Sequence, residues 1–250
     1  TPMQIAVINT KDHSYTGTSI TVNMYPGGFV HGIANIPKKH LYLLDTNNGR
    51  IAIVDMVTNK VIKYITAVST DNGRMPVGMI ASGDGSLAAI LYGAKAGSMN
   101  AGTPDYYNVA VLDTTAYELV RKGKVSEEGF IKNGFGGQNN LAADGTKTIY
   151  AVAQTLNNGD SVDVQKMRIA KIDLSTLTAS YSPELSTVGA CQTVSDMEMT
   201  ARGLYFISYF SPSCQPLAGQ TQTKIYLYNP TTFGVSAVSQ ADPIANYAWN

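Results

Sequence analysis

Five short segments of this chain repeat one pattern: IAVIN at 5–9, IAIVD at 51–55, VAVLD at 109–113, IAKID at 169–173 and IYLYN at 225–229. Each is a short strand-like run rich in β-branched or aromatic residues that ends in Asp or Asn. The starts lie 46, 58, 60 and 56 residues apart. A turn and a second extended stretch follow each copy, as in Asp55-Met56-Val57-Thr58-Asn59 leading into Lys60–Tyr64. Asp, Asn and Thr stop the strand because their side chains bond nearby backbone and favour turns. A fixed period of this length restricts the chain to repeat architectures.

A further pair of strands precedes each later copy. HGIANIPKKHLYLLD (31–45), VGMIASGDGSLAAIL (77–91), NNLAADGTKTIYAVA (139–153) and VSDMEMTARGLYFIS (194–208) align as strand, Gly- or Lys-rich turn, strand. Strong helical periodicity is absent, and the one helix-like stretch falls around Ala116–Val120. Four strands per unit in an all-β chain is the pattern of propeller blades. A β-sandwich remains the alternative, although it does not require four strands to recur in one order with one turn chemistry. The expectation is a single β-propeller domain over 1–250. It opens on a third strand and ends on a first strand, Pro243-Ile-Ala-Asn-Tyr-Ala-Trp249. Packing Ile244–Trp249 with Met3–Ile8 would give five blades, four whole and one composite lacking a second strand. A six-bladed ring is the other count.

Composition narrows the partners. Lys plus Arg equals Asp plus Glu at 18 each, so no net field attracts a polyanion, and nucleic acid is not expected as a partner. No apolar run approaches the ~18 residues of a membrane span. Charged residues make up 14% of the chain against roughly 25% in an average soluble one, with abundant Tyr, Thr, Ser and Asn. That balance suits the secretory route, and a secreted protein is expected. Cys191 and Cys214 are the only cysteines. An isolated pair in such a chain favours a disulfide over two buried free thiols, and no histidine lies near enough in sequence to suggest a Zn site.

The segment HGIANIPKKHLYLLDTNNGRIAIVDMVTNKV (31–61) resembles the opening blade of the regucalcin/gluconolactonase/strictosidine-synthase-like propellers. NNLAADGTKTIYAVAQ (139–154) is similar to their Asn-Gly-Leu strand and the strand after it, and SDMEMTARGLYFISY (195–209) to their Asp-Gly-Met strand. The same phrases resemble YVTN-type propellers, which share the strand pattern without the site. In the lactonase-like family a Glu, one or two Asn and an Asp at the starts of innermost strands hold a divalent ion in the central channel. The resemblance places the Glu position at His31, an Asn at Asn140 or Asn139, and the Asp at Asp196. The blade beginning at Val77-Gly78 offers no ligand. Replacing Glu by His removes the strongest anionic contributor from an oxygen set built for a hard ion. No cofactor is therefore expected; a metal, were one bound, would be a softer ion on His31, Asn140 and Asp196.

Two functions remain open. One is an enzyme-like propeller that takes a small organic molecule in its channel without a metal. His31, Asn140 and Asp196 would then orient and polarise the ligand, and Asn139, Tyr209, Asn246 and Tyr247 would line its pocket. Hydrolysis of a lactone, or a cyclisation or cycloaddition in a natural-product pathway, are the reactions in view. The other is a secreted binding module whose loops contact a protein or polysaccharide. His31 has a plain reading too, as a structural histidine, and the polar ring could hold water alone. Asp45-Thr-Asn47-Asn48-Gly49 lacks the far Glu of a calcium loop and reads as a turn between strands. His40, beside Lys38 and Lys39, reads as a solvated turn residue.

Overall fold

A computed structural model describes residues 2–24, 30–45, 48–66, 76–92, 108–125, 141–156, 164–183, 192–210 and 223–238, with the backbone alone at some strand ends. All its regular structure is strand. Eighteen strands run in chain order from β1 (Met3–Ile8) and β2 (Tyr15–Val22) to β17 (Thr223–Tyr228) and β18 (Val235–Ala237). Between them lie four antiparallel four-stranded sheets, each a simple meander. The first holds β3 (Val30–Asn35), β4 (His40–Asp45), β5 (Arg50–Asp55) and β6 (Lys60–Ile65). The second holds β7 (Pro76–Ala81), β8 (Leu87–Tyr92), β9 (Val109–Asp113) and β10 (Glu118–Gly123). The third holds β11 (Leu141–Ala143), β12 (Thr148–Leu156), β13 (Val164–Asp173) and β14 (Thr178–Tyr181), and the fourth β15 (Gln192–Thr200), β16 (Gly203–Phe210), β17 and β18. β1 and β2 form a two-stranded sheet. The five repeated segments are β1, β5, β9, β13 and β17, the third strands of their units. Ala116–Val120 is not helical. Tyr117 closes a turn with φ 56° and Glu118 opens β10.

The sheets stack face to face, and each interface carries its own core. Ile20, Val22 and Met24 of the two-stranded sheet meet Leu43, Ala52 and Val54 of the first. Tyr42, Ile51 and Ile53 meet Ala88, Ile90 and Leu112. Leu91, Val109 and Val111 meet Ile149, Ala170 and Ile172. Tyr150, Val152 and Ile169 meet Phe206, Tyr226 and Tyr228. A strand with a sheet on each side is apolar on both faces. For that reason Ile51–Val54 and Val109–Leu112 read as unbroken apolar runs and are wholly buried. The outer strands β6 and β10 have no wholly buried position and are half-buried only at intervals, as one covered face demands. This is a β-propeller of four-stranded blades, with β3, β7, β11 and β15 innermost and each in contact with the next. The composite closure by 243–249 lies outside the described residues.

One turn is built five times. Asn9, Asp55, Asp113, Asp173 and Asn229 end the third strands, and the Oδ1 of each accepts the backbone N–H two residues on, over 2.6–3.0 Å. Four residues after each of them the chain takes positive φ, at His13, Asn59, Tyr117, Leu177 and Phe233. The side-chain oxygen supplies the bond that a short turn lacks, and the left-handed residue aims the chain back along the blade. Adjacent turns are tied across blades at this end. Asn35, fully buried, donates from Nδ2 to the carbonyl of Gly85 at 3.0 Å, and Gly83 N–H donates to the carbonyl of Thr146 at 2.9 Å. Gly85 has φ 71°, and a Cβ there would meet Asn35 Oδ1 and Pro37.

Candidate functional site

The four innermost strands enclose a cavity of about 250 Å³. Its wall can be followed in tiers along the strands. Met79, Leu141 and Met197 turn towards the core shared with the preceding blade. Ile33, Ile80 and Ala142, next along, turn towards the core shared with the following blade. Glu198 holds the corresponding position on β15 and lines the same cavity. Met199 and Ala143 continue the wall towards the short-turn end. The channel is thus lined by strand backbone together with aliphatic and thioether side chains, and one carboxylate stands halfway along it.

Both ends of the tube are polar. At the short-turn end the strands finish on Asn35, Ser82, Asp144 and Thr200. Each is used locally: Asn35 Oδ1 accepts Lys38 N–H, Ser82 Oγ donates to Asp84, Asp144 Oδ1 accepts Thr146 N–H, and Thr200 Oγ1 donates to the carbonyl of Gly203. At the opposite end the described residues just before the cavity tier are His31, Gly78 and Asp196. Two of these three are residues singled out from the sequence.

The placements differ in detail. His31 is half-buried as the second residue of β3, paired opposite Leu44, and takes part in interactions within the protein. Asp196 does not start its strand. It is the fifth residue of the nine-residue β15, and the register slips between Val194 and Asp196, so the strand carries a bulge there. A bulge lets an extra residue be accommodated in one strand of a pair. Counted back from the hairpin turns, Asp196 nevertheless shares the level of His31. Tyr209 lies on β16 opposite Thr193. Asn139, Asn140, Asn246, Tyr247, Cys191 and Cys214 lie outside the described residues.

Among the described residues no three His, Cys, Asp or Glu side chains gather as a metal site. The donor set at the mouth tier is a poor match for a hard divalent ion: an imidazole stands at one position and a glycine at another, where six to eight oxygens are wanted. Asp45 ends β4 beside Asn48, whose backbone N–H it accepts at 3.1 Å, and Arg50 opens β5. That is the turn expected from the sequence.

Two features escaped the sequence reading. Glu198 is the first; aligning the first strands by the blade each residue faces, not by motif, would have exposed it. The second is His40, which is half-buried and not solvated. It packs against the rings of Tyr117 and Tyr42, with its Nε2 3.4 Å from Tyr117 Oη and a buried Nδ1 that has no hydrogen-bond partner. Burial lowers its pKa below 6.5 against the pull of Asp55. Burial likewise pushes the Tyr42 hydroxyl up to about 12, despite its bond with Asn35. This group belongs to the interblade packing at the short-turn end, away from the channel mouth.

No family model matches the chain, and no curated protein matches it. Solved structures do. A hydrazine synthase from Kuenenia stuttgartiensis superposes with a TM-score of 0.63 at 18% identity, over 94% of this chain and 59% of that one. The propeller of Dos1 gives a TM-score of 0.56 at 12% identity, over 97% and 55%. KlAtg21, solved with the coiled coil of AgAtg16, gives 0.51 at 12% identity, over 94% and 76%. The chain therefore spans a little over half the length of the first two. At these identities the likeness carries the propeller fold alone. Among the described residues no helix is long and apolar enough to cross a membrane.

Proposed function

We propose that this protein binds a small organic molecule in the central channel, admitted at the end where β3, β7, β11 and β15 begin. The observation that carries this reading is the cavity itself: about 250 Å³, bounded by the four innermost strands, with His31 and Asp196 on the tier just before it. A cavity that combines apolar side chains with a few polar groups is the usual form of a ligand site. In this proposal the protein is lactonase-like in fold and independent of metal. The walls hold the ligand body in a reactive shape, and His31, Asn140 and Asp196 orient and polarise its polar end. Orientation of that kind suits cyclisation or cycloaddition, where geometry supplies much of the barrier lowering. The resemblance of the fold to part of a hydrazine synthase supports no more than that such a ring can serve in an enzyme.

The test is calorimetry of the protein and its Asp196→Asn variant with lactones and with polyene or quinone-methide-type ligands. The variant is expected to lose binding or turnover while its stability changes by less than about 1 kcal/mol, as for many substitutions outside a core. A variant as active as the parent, or ligands protected only on the outer loops, would transfer the function to a binding module.

A further inference from the structure

We infer that the channel selects a small organic cation, an apolar body bearing one protonated amine or quaternary ammonium group, with Glu198 as its counter-ion. This rests on the channel reading above and names the ligand class it takes.

Glu198 lies where the other innermost strands place Ile33, Ile80 and Ala142, midway along the channel. Its side chain is exposed to the channel solvent, and it has no cationic partner among the described residues. The surroundings make the omission systematic. Across Val30–Asn35, Pro76–Ala81, Leu141–Ala143 and Gln192–Thr200 there is no lysine and no arginine, while Asp196 and Glu198 both stand on β15. In a chain whose formal net charge is zero, the innermost strands thus carry two carboxylates and no fixed positive charge. Low-dielectric walls focus such a field along the channel and raise the local concentration of cations.

The rest of the wall decides which cation. A hard metal ion takes six to eight oxygens, and this wall presents one carboxylate amid aliphatic groups. An ammonium group on a carbon body uses both features: the head meets the carboxylate and the body meets Ile33, Ile80 and Leu141. Met199 adds a flexible, polarizable thioether that moulds to the shape of a ligand. About 250 Å³ falls below the roughly 300–1,000 Å³ of sites for drug-sized ligands, so the body is a short one.

Pentylamine, pentanol and pentanoate share one body and differ only in the charge of the head. Titration calorimetry of the three against the whole chain, in low and high salt, is the experiment. The amine is expected to bind at least tenfold more tightly than the alcohol, the carboxylate not measurably, and the preference to shrink as salt rises. Glu198→Gln should reduce the amine to the affinity of the alcohol, and Glu198→Lys should make pentanoate the preferred ligand. Melting curves of both variants check that the ring is intact. Equal binding of all three by the parent protein, or an amine preference that survives Glu198→Gln, overturns the cation inference and leaves the channel reading standing. Binding of none of the three overturns both.

Discussion

The two ends of this propeller are built on different principles. At one end, every connection within a blade is short, from the two residues 201–202 to the six of 229–234, and five of them repeat a single Asx turn. At the other end, connections such as 93–108 and 124–140 run to sixteen and seventeen residues and share no pattern. The short end satisfies its polar groups internally, by bonds within turns and between neighbouring blades, with the buried Nδ1 of His40 as an exception. The long end starts the innermost strands and brings polar residues to the level of the channel mouth. Repeated, internally bonded turns lie at the first and connections of unequal length at the second, the usual division between a scaffold and the loops it carries.

The largest expected effect tests whether the long end has a staple of its own. The β15–β16 hairpin pairs Gln192 with Phe210, and in sequence Cys191 comes just before its first strand and Cys214 four residues after its second. A disulfide between them is the proposal. It would stabilise the fold by about 3.5 kcal/mol in the chain-entropy treatment of a loop this long. Intact-mass measurement after alkylation, with and without reductant, should show no accessible thiol until reduction, and reduction should then lower the melting temperature. Two alkylatable thiols in the unreduced native protein would leave the long end without its staple.

The next effect probes the short end. A Cβ on Gly83 would overlap the carbonyl oxygen of Asp144 and disturb the Gly83 to Thr146 bond beside it. Gly83→Ala should therefore cost about 2–3 kcal/mol, because the obstacle is backbone and cannot swing aside. Asn35→Ala should cost about 2 kcal/mol, since it removes a fully buried side chain that bonds the buried carbonyl of Gly85 and the N–H of Lys38. Urea denaturation measures both. The contrast with Asp196→Asn sharpens the comparison: the short end should lose stability and keep ligand binding, and the mouth tier should do the reverse. Equal stability losses at both ends would remove the distinction.

The same contrast explains what could be read from the sequence. The third strands were legible because both faces are buried, which gives a nearly continuous apolar run, and because an Asx turn must follow each. That fixed the order of strands in every blade. The level of His31 was legible by counting along strands, although the bulge before Asp196 hid that its strand begins four residues earlier. Glu198 was not legible as a channel residue, since alternation on one strand does not say which neighbour each face meets. His40 looked like a turn residue beside two lysines. Its burial comes from Tyr117, 77 positions away in the next blade.

The smallest effect is one of pH, and it belongs to the short end alone. Asp12, Asp55, Asp84 and Asp113, all in its turns, have pKa values below their ordinary 3.8. For Asp12 the backbone N–H of Ser14 is the main cause, for Asp55 that of Val57, and for Asp113 that of Ala116. At Asp84 burial acts the other way, and the bonds from Ser86 and Ser82 outweigh it. A carboxylate with a folded pKa below its unfolded one stabilises the fold fully above the unfolded value. That contribution is lost as pH falls through the folded value, so stability should hold to about pH 4 and decline below it. His40 adds an earlier, smaller loss: its folded pKa lies below 6.5, and protonation of the unfolded chain begins near that pH. The chain supplies its own control. Asn9 and Asn229 occupy the same turn position as Asp55 and Asp113, and make the same bonds without a titrating proton. Asp55→Asn with Asp113→Asn should therefore keep the turns at pH 7 and flatten the decline below pH 4, read as melting temperature against pH. A decline as steep as the parent's would show that the acid sensitivity lies elsewhere, and the long end would then be the place to look.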